Sequence, residues 1–200
     1  MFSPWTAPHI SFWPVMALSS CILLALAWFL FPQWHEGFRL SPGQVGLGVL
    51  IAAALWGIFW VGDKLSGVLF SFARPQIDSI YALKDGAAKW LLAAQLLLVT
   101  GPAEEIFWRG CIQRFLGVHL AGKQKGYASK SLPRLFAAII TLLIYTLIHI
   151  WSFNFMLIMA AAVAGGVWGL LYWLKPDWLP ALVVSHALWD AAVFVVFPIM

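Results

Sequence analysis

Charge is scarce in this chain. Asp, Glu, Lys and Arg make up 10% of its 200 residues, against 62% apolar residues. A soluble domain carries about a quarter charged residues, so the composition excludes one and implies an integral membrane protein, with a mean hydropathy of +0.88. Cysteine is almost absent: Cys21 and Cys111 both fall in apolar segments and read as buried thiols rather than a disulfide. No Lys or Arg precedes Arg39, so the N-terminus lacks the basic flank of a signal peptide. Leu18-Ser19-Ser20-Cys21 has the outline of a lipoprotein cleavage box. However, the main apolar run, Ile22 to Phe31, follows the cysteine instead of preceding it, and a retained membrane helix is expected. No repeat, linker or low-complexity stretch divides the chain, which reads as a single membrane domain over 1–200. The net charge of +4 belongs to basic loops and gives no reason to expect a nucleic acid partner.

Six apolar runs are long enough, at ~17–25 residues, to cross a bilayer. They lie near 11–31, 44–62, 88–116, 134–151, 155–174 and 179–198. They are too long and too uniformly apolar for alternating barrel strands, so the predicted fold is all-α, a polytopic bundle of about six transmembrane helices. Residues 63–87 mix Val68, Phe70, Ile77, Ile80 and Tyr81 with Lys64, Arg74, Asp78 and Lys84. That mixture predicts an amphipathic segment at the membrane surface, broken near Pro75. Residues 1–62 are then two peripheral helices, 63–87 an interfacial connector, and 88–198 the core. Counting Lys and Arg on alternate loops gives seven on one side (Arg39, Arg114, Lys123, Lys125, Lys130, Arg134, Lys175) and four on the other (Lys64, Arg74, Lys84, Lys89). The positive-inside rule therefore puts the Arg114–Arg134 loop in the cytoplasm and both termini outside.

Three of the apolar runs carry polar groups at depth. Gly101-Pro102-Ala103-Glu104-Glu105-Ile106-Phe107-Trp108-Arg109 places two carboxylates and a guanidinium inside the third span. Tyr145 and His149, and His186 and Asp190, each share a helix face at i,i+4, as do Glu105 and Arg109. Glu104 points ~100° away from Glu105 around the helix. One carboxylate can thus be pinned by Arg109 while the other meets water or a histidine. Counted from the basic boundary at 1.5 Å per residue, Glu104, His149 and His186 lie ~15, ~22 and ~10 Å deep, differences that helix tilt absorbs. Ionisable groups at such depth are costly unless they serve a site.

Glu-Glu-x-x-x-Arg, then an aromatic-x-x-x-His, then His-x-x-x-Asp, in that order over residues 86–198, resembles the CPBP family of CAAX proteases and bacteriocin-processing enzymes, also called Abi. The family are glutamic intramembrane endopeptidases and include the type II CAAX prenyl endopeptidases. The resemblance implies that Glu104 and His149 activate the attacking water, His186 and Asp190 hold the oxyanion, and Arg109 orders the motif around Glu105. It places Tyr145 and Phe107 against substrate. Tyr145 stands where the family usually has Phe, and Asp190 where the eukaryotic enzymes have Asn. An ionised Asp190 cannot donate to an oxyanion, so it either carries a proton or orients His186, the second reading being preferred.

The chemistry is coherent without the family name. Amide hydrolysis needs a base for water, an acid for the leaving amine and donors where negative charge develops. A carboxylate withdrawn from water is a better base near neutral pH than a surface one, and histidine can share and return the proton. Ser152, Ser185 and Cys111 have no neighbour that would make them nucleophiles. Three alternatives stay open: a zinc-type metalloprotease, although no His-Glu-x-x-His is present; a proton-coupled transporter; and a non-catalytic binding or immunity protein. The expected partners are the lipid bilayer and a membrane-associated protein or peptide substrate, with no cofactor and no metal, in a bacterial inner membrane. The expected substrates are a prenylated C-terminus, a bacteriocin-type precursor or a C-terminal sorting signal. Gly165-x-x-x-Gly169 predicts close helix packing within the chain, and Gly101-Pro102 a kink that widens a water cavity.

Overall fold

A computed structural model of the chain describes residues 3–121 and 132–199. Six helices are long and apolar enough to cross a membrane, and no strand occurs among the described residues. The protein is therefore an all-α, multi-pass membrane protein. In chain order the elements are α1 (Phe12–Leu30), α2 (Pro42–Leu69), α3 (Ala73–Tyr81), α4 (Lys89–Ala121), α5 (Leu132–Leu147), α6 (Phe155–Leu174) and α7 (Leu179–Ala191). All but the short α3 are spans.

The structure corrects the second span. It runs on to Leu69 rather than ending near residue 62, because the charges beyond it are neutralised in place. Asp63 is buried and lies 3.1 Å from Arg74 and 3.3 Å from Lys64. Helix α3 is also unbroken: Pro75 sits in its first turn, where a helix has no use for the missing N–H. Asn154 fixes α3 to the start of α6. Its Oδ1 caps α6 by accepting the Leu157 N–H (2.9 Å), while its Nδ2 donates to the Gln76 carbonyl (2.8 Å). Gln76 Oε1 in turn accepts the Met156 N–H at 3.0 Å. Lys123, Lys125 and Lys130, counted above for orientation, lie outside the described residues. Among the others each face holds four cations, so those three lysines carry the whole margin.

Helix α4 is continuous, with two π turns, Leu96–Thr100 and Ile106–Gln113, on either side of Gly101–Glu105. Pro102 follows the first wide turn, where regular i,i+4 bonding is already interrupted. Gly101 is a contact glycine, since a Cβ there would lie 2.6 Å from the Ala187 Cα. Gly48 does the same for α2, where a Cβ would come within 2.7 Å of the Ala181 carbonyl oxygen. Helix α7 is thus gripped closely by α2 and α4 and is the most enclosed span, 67% of it buried. Cys111 is buried as expected, but Cys21 is exposed on the lipid-facing side of α1; both are free thiols.

Overpacking at a close crossing costs about 1–3 kcal/mol. Gly101→Ala is expected to lower the thermal unfolding temperature in detergent. Gly57→Ala, at a helical glycine with nothing within 4 Å of a new Cβ, should leave it unchanged.

Candidate active site

The ~100° turn between neighbouring helix residues sets the two glutamates on different sides of α4. Glu105 is fully buried. Its Oε1 accepts from Arg109 Nη1 at 2.7 Å and contacts His186 Nδ1 at 2.9 Å. Arg109, also buried, donates through Nη2 to the Gly165 carbonyl of α6 at 2.9 Å. One turn on, Gln113 Nε2 donates to the Gly169 carbonyl at the same 2.9 Å. Two donors at i,i+4 on α4 therefore meet two carbonyls at i,i+4 on α6. The glycines serve this crossing inside the chain.

His186 is held from two directions. A carboxylate only accepts, so His186 Nδ1 bears a proton toward Glu105. The ring is stacked on the fully buried Trp168, with centroids 3.9 Å apart and planes inclined by 16°. Trp168 is fixed in turn by its Nε1–H donating to Ser185 Oγ at 3.1 Å. His186 Nε2 then faces Asp190 Oδ2 at 3.5 Å and Glu104 Oε2 at 4.0 Å. Glu105 and Trp168 thus make the closest contacts of the His186 ring, and Asp190 stands beyond its Nε2. Neither of those closest contacts was visible in the sequence, because they join residues on different helices. The signal that existed was the matched spacing of Arg109 and Gln113 with Gly165 and Gly169.

Glu104 keeps different company. Its side chain retains 14% exposure, and its Oε2 accepts from the Tyr145 hydroxyl at 3.0 Å. The Tyr145 carbonyl accepts from His149 Nδ1 at 2.8 Å, which leaves His149 Nε2 with its lone pair free to take a proton. Glu104, Tyr145, His149, His186 and Asp190 all border one cavity of about 720 Å³. Its walls are otherwise largely apolar: Trp13 and Met16 from α1, Phe59 from α2, and Ile77 and Ile80 from α3. The first two helices and the connector thus form much of the wall. Glu105, Arg109 and Phe107 do not border it. Phe107 packs edge-on against Trp108 at 5.2 Å instead, because its α4 position faces away from the cavity. Ser185 and Cys111 are outside it as well. Ser152 borders it, with its hydroxyl donating to the His149 carbonyl at 2.7 Å.

Residues of α3 and of the α5–α6 turn, among them Ile80, Trp151 and Ser152, also line the cavity. Among the described residues no three His, Cys, Asp or Glu side chains are disposed to hold a metal ion.

Removing one partner of a buried ion pair strands the other charge and costs about 3–5 kcal/mol. Arg109→Met alone is therefore expected to lower the unfolding temperature sharply. The double variant Arg109→Met with Glu105→Leu should recover a large part of that loss, read by thermal unfolding in detergent.

A family model described as type II CAAX prenyl endopeptidase Rce1-like matches residues 86–192, more than half of the chain, from the start of α4 past Asp190. No curated protein and no solved structure matches the chain. With Glu104, Tyr145, His149, His186 and Asp190 inside the matched stretch, the chain belongs to the type II CAAX prenyl endopeptidase Rce1-like family of membrane proteases.

Proposed function

We propose that this protein is a glutamic intramembrane endopeptidase that cuts a peptide bond in a membrane-associated protein. The observation that carries the reading is the division of labour between adjacent glutamates. Glu105 is dry and paired with Arg109, whereas Glu104 borders the cavity together with His149, His186 and Asp190.

Glu104 takes a proton from a water in the cavity as the water oxygen attacks the scissile carbonyl carbon. The C–O bond forms, and the carbonyl π electrons move onto oxygen. His186, carrying a proton on each ring nitrogen and held at Nδ1 by Glu105, donates through Nε2–H to that oxyanion. When the intermediate collapses, the C–N bond breaks and the amine leaves with a proton relayed from Glu104 or His149. Asp190 lies close enough to His186 Nε2 to keep it facing the cavity. The largely apolar walls suit an apolar or lipid-bearing segment, which supports a prenylated C-terminus, a bacteriocin-type precursor or a membrane-spanning sorting signal as substrate. The economy of the loops supports a bacterial inner-membrane enzyme.

Cleavage of such precursors in membranes tests the reading. Glu104→Ala and His149→Ala should each abolish cleavage, and a zinc chelator should leave the wild type active. Chelator-sensitive cleavage would move the chemistry to a metal, and an active Glu104→Ala would remove Glu104 as the base.

A further inference from the structure

Tyr145, which the family resemblance sets against substrate, borders the cavity but is itself held on most sides by protein. The side chain is 5% exposed. One side of its ring meets the Arg109 guanidinium at 5.1 Å, and the edges meet Trp108 at 5.5 Å and His149 at 5.3 Å. Gly165 lies close as well, since a Cβ there would come within 2.7 Å of the ring. Glycine at that position is what lets the ring sit so close to α6.

Its two polar atoms go to the two groups that would handle the water proton. The hydroxyl donates to Glu104 Oε2 at 3.0 Å, and the backbone carbonyl accepts from His149 Nδ1 at 2.8 Å. We infer that Tyr145 is a positioning residue that selects the working atoms of the site. Its hydroxyl occupies Oε2 of Glu104, so the other carboxylate oxygen, Oε1, receives the proton from water. Its carbonyl fixes His149 in the tautomer whose Nε2 is free. Trp108, Arg109 and Gly165 hold the ring, so α4, α5 and α6 are registered to each other through this one side chain. The inference rests on Glu104 being the base, as proposed above.

Tyr145→Phe keeps the ring and the backbone carbonyl and removes only the hydroxyl. Cleavage kinetics in membranes should show kcat falling about tenfold with KM unchanged, the loss expected for one hydrogen bond to a charged group. The unfolding temperature should stay near that of the wild type. A KM that rises while kcat holds would return Tyr145 to substrate binding and overturn the inference; so would wild-type kinetics. Glu104→Gln in the same assay separates the two levels. An inactive Glu104→Gln beside a fully active Tyr145→Phe overturns the positioning role alone. A fully active Glu104→Gln overturns the base assignment and the positioning role with it.

Discussion

The buried contact of Glu105 with Arg109 and His186 is the constraint on which the rest of this structure depends. A carboxylate and a guanidinium removed from water cost several kcal/mol each unless their geometry and remaining hydrogen bonds are good. Here one oxygen of Glu105 is shared by Arg109 at 2.7 Å and His186 at 2.9 Å, and Arg109 reaches on to the Gly165 carbonyl. The network thereby ties α4 to α7 and to α6. Between membrane helices lipid offers no hydrophobic drive, so close packing and polar contacts set the registry. Gly101 against Ala187 and Gly165 against Tyr145 supply the close approach that those contacts need.

The same constraint accounts for the second glutamate. Because Glu105 is committed to the dry side of α4, its neighbour Glu104 is turned by the helix toward the cavity. Two residues of identical chemistry thus acquire opposite environments from one covalent link. The histidines follow the same logic. His186 has its Nδ1 occupied by Glu105 and its face by Trp168, and His149 has its Nδ1 occupied by a carbonyl, so each turns Nε2 toward the cavity, that of His186 beside Asp190 and Glu104. Membership of an Rce1-like protease family fits a site built in this way, with polar groups held at depth behind largely apolar walls.

Much of this was legible in the sequence. Hydropathy located six spans, because apolar length is a direct requirement of crossing lipid. The i,i+4 spacings of Glu105 with Arg109, Tyr145 with His149 and His186 with Asp190 showed which side chains share a face. Periodicity is local, however, and the missed features are those between helices. Nothing in the spacing of α7 indicates that Glu105 and Trp168 would make the closest contacts of the His186 ring. Asp63 and Lys64 read as the end of a span because their charges were counted without Arg74, which folds back to pair with Asp63. Pro75 read as a break because its place in a first turn depends on where α3 begins.

The most direct test of the account compares two amide substitutions, each nearly isosteric with the glutamate it replaces. Unfolding temperature and precursor cleavage would be measured for Glu104→Gln and Glu105→Gln in the same membranes. The account predicts that Glu104→Gln unfolds like the wild type and does not cleave, whereas Glu105→Gln loses stability by stranding Arg109. If Glu104→Gln were the unstable variant, or if Glu105→Gln kept full stability while Glu104→Gln kept full cleavage, the separation of the two glutamates into base and anchor would be contradicted.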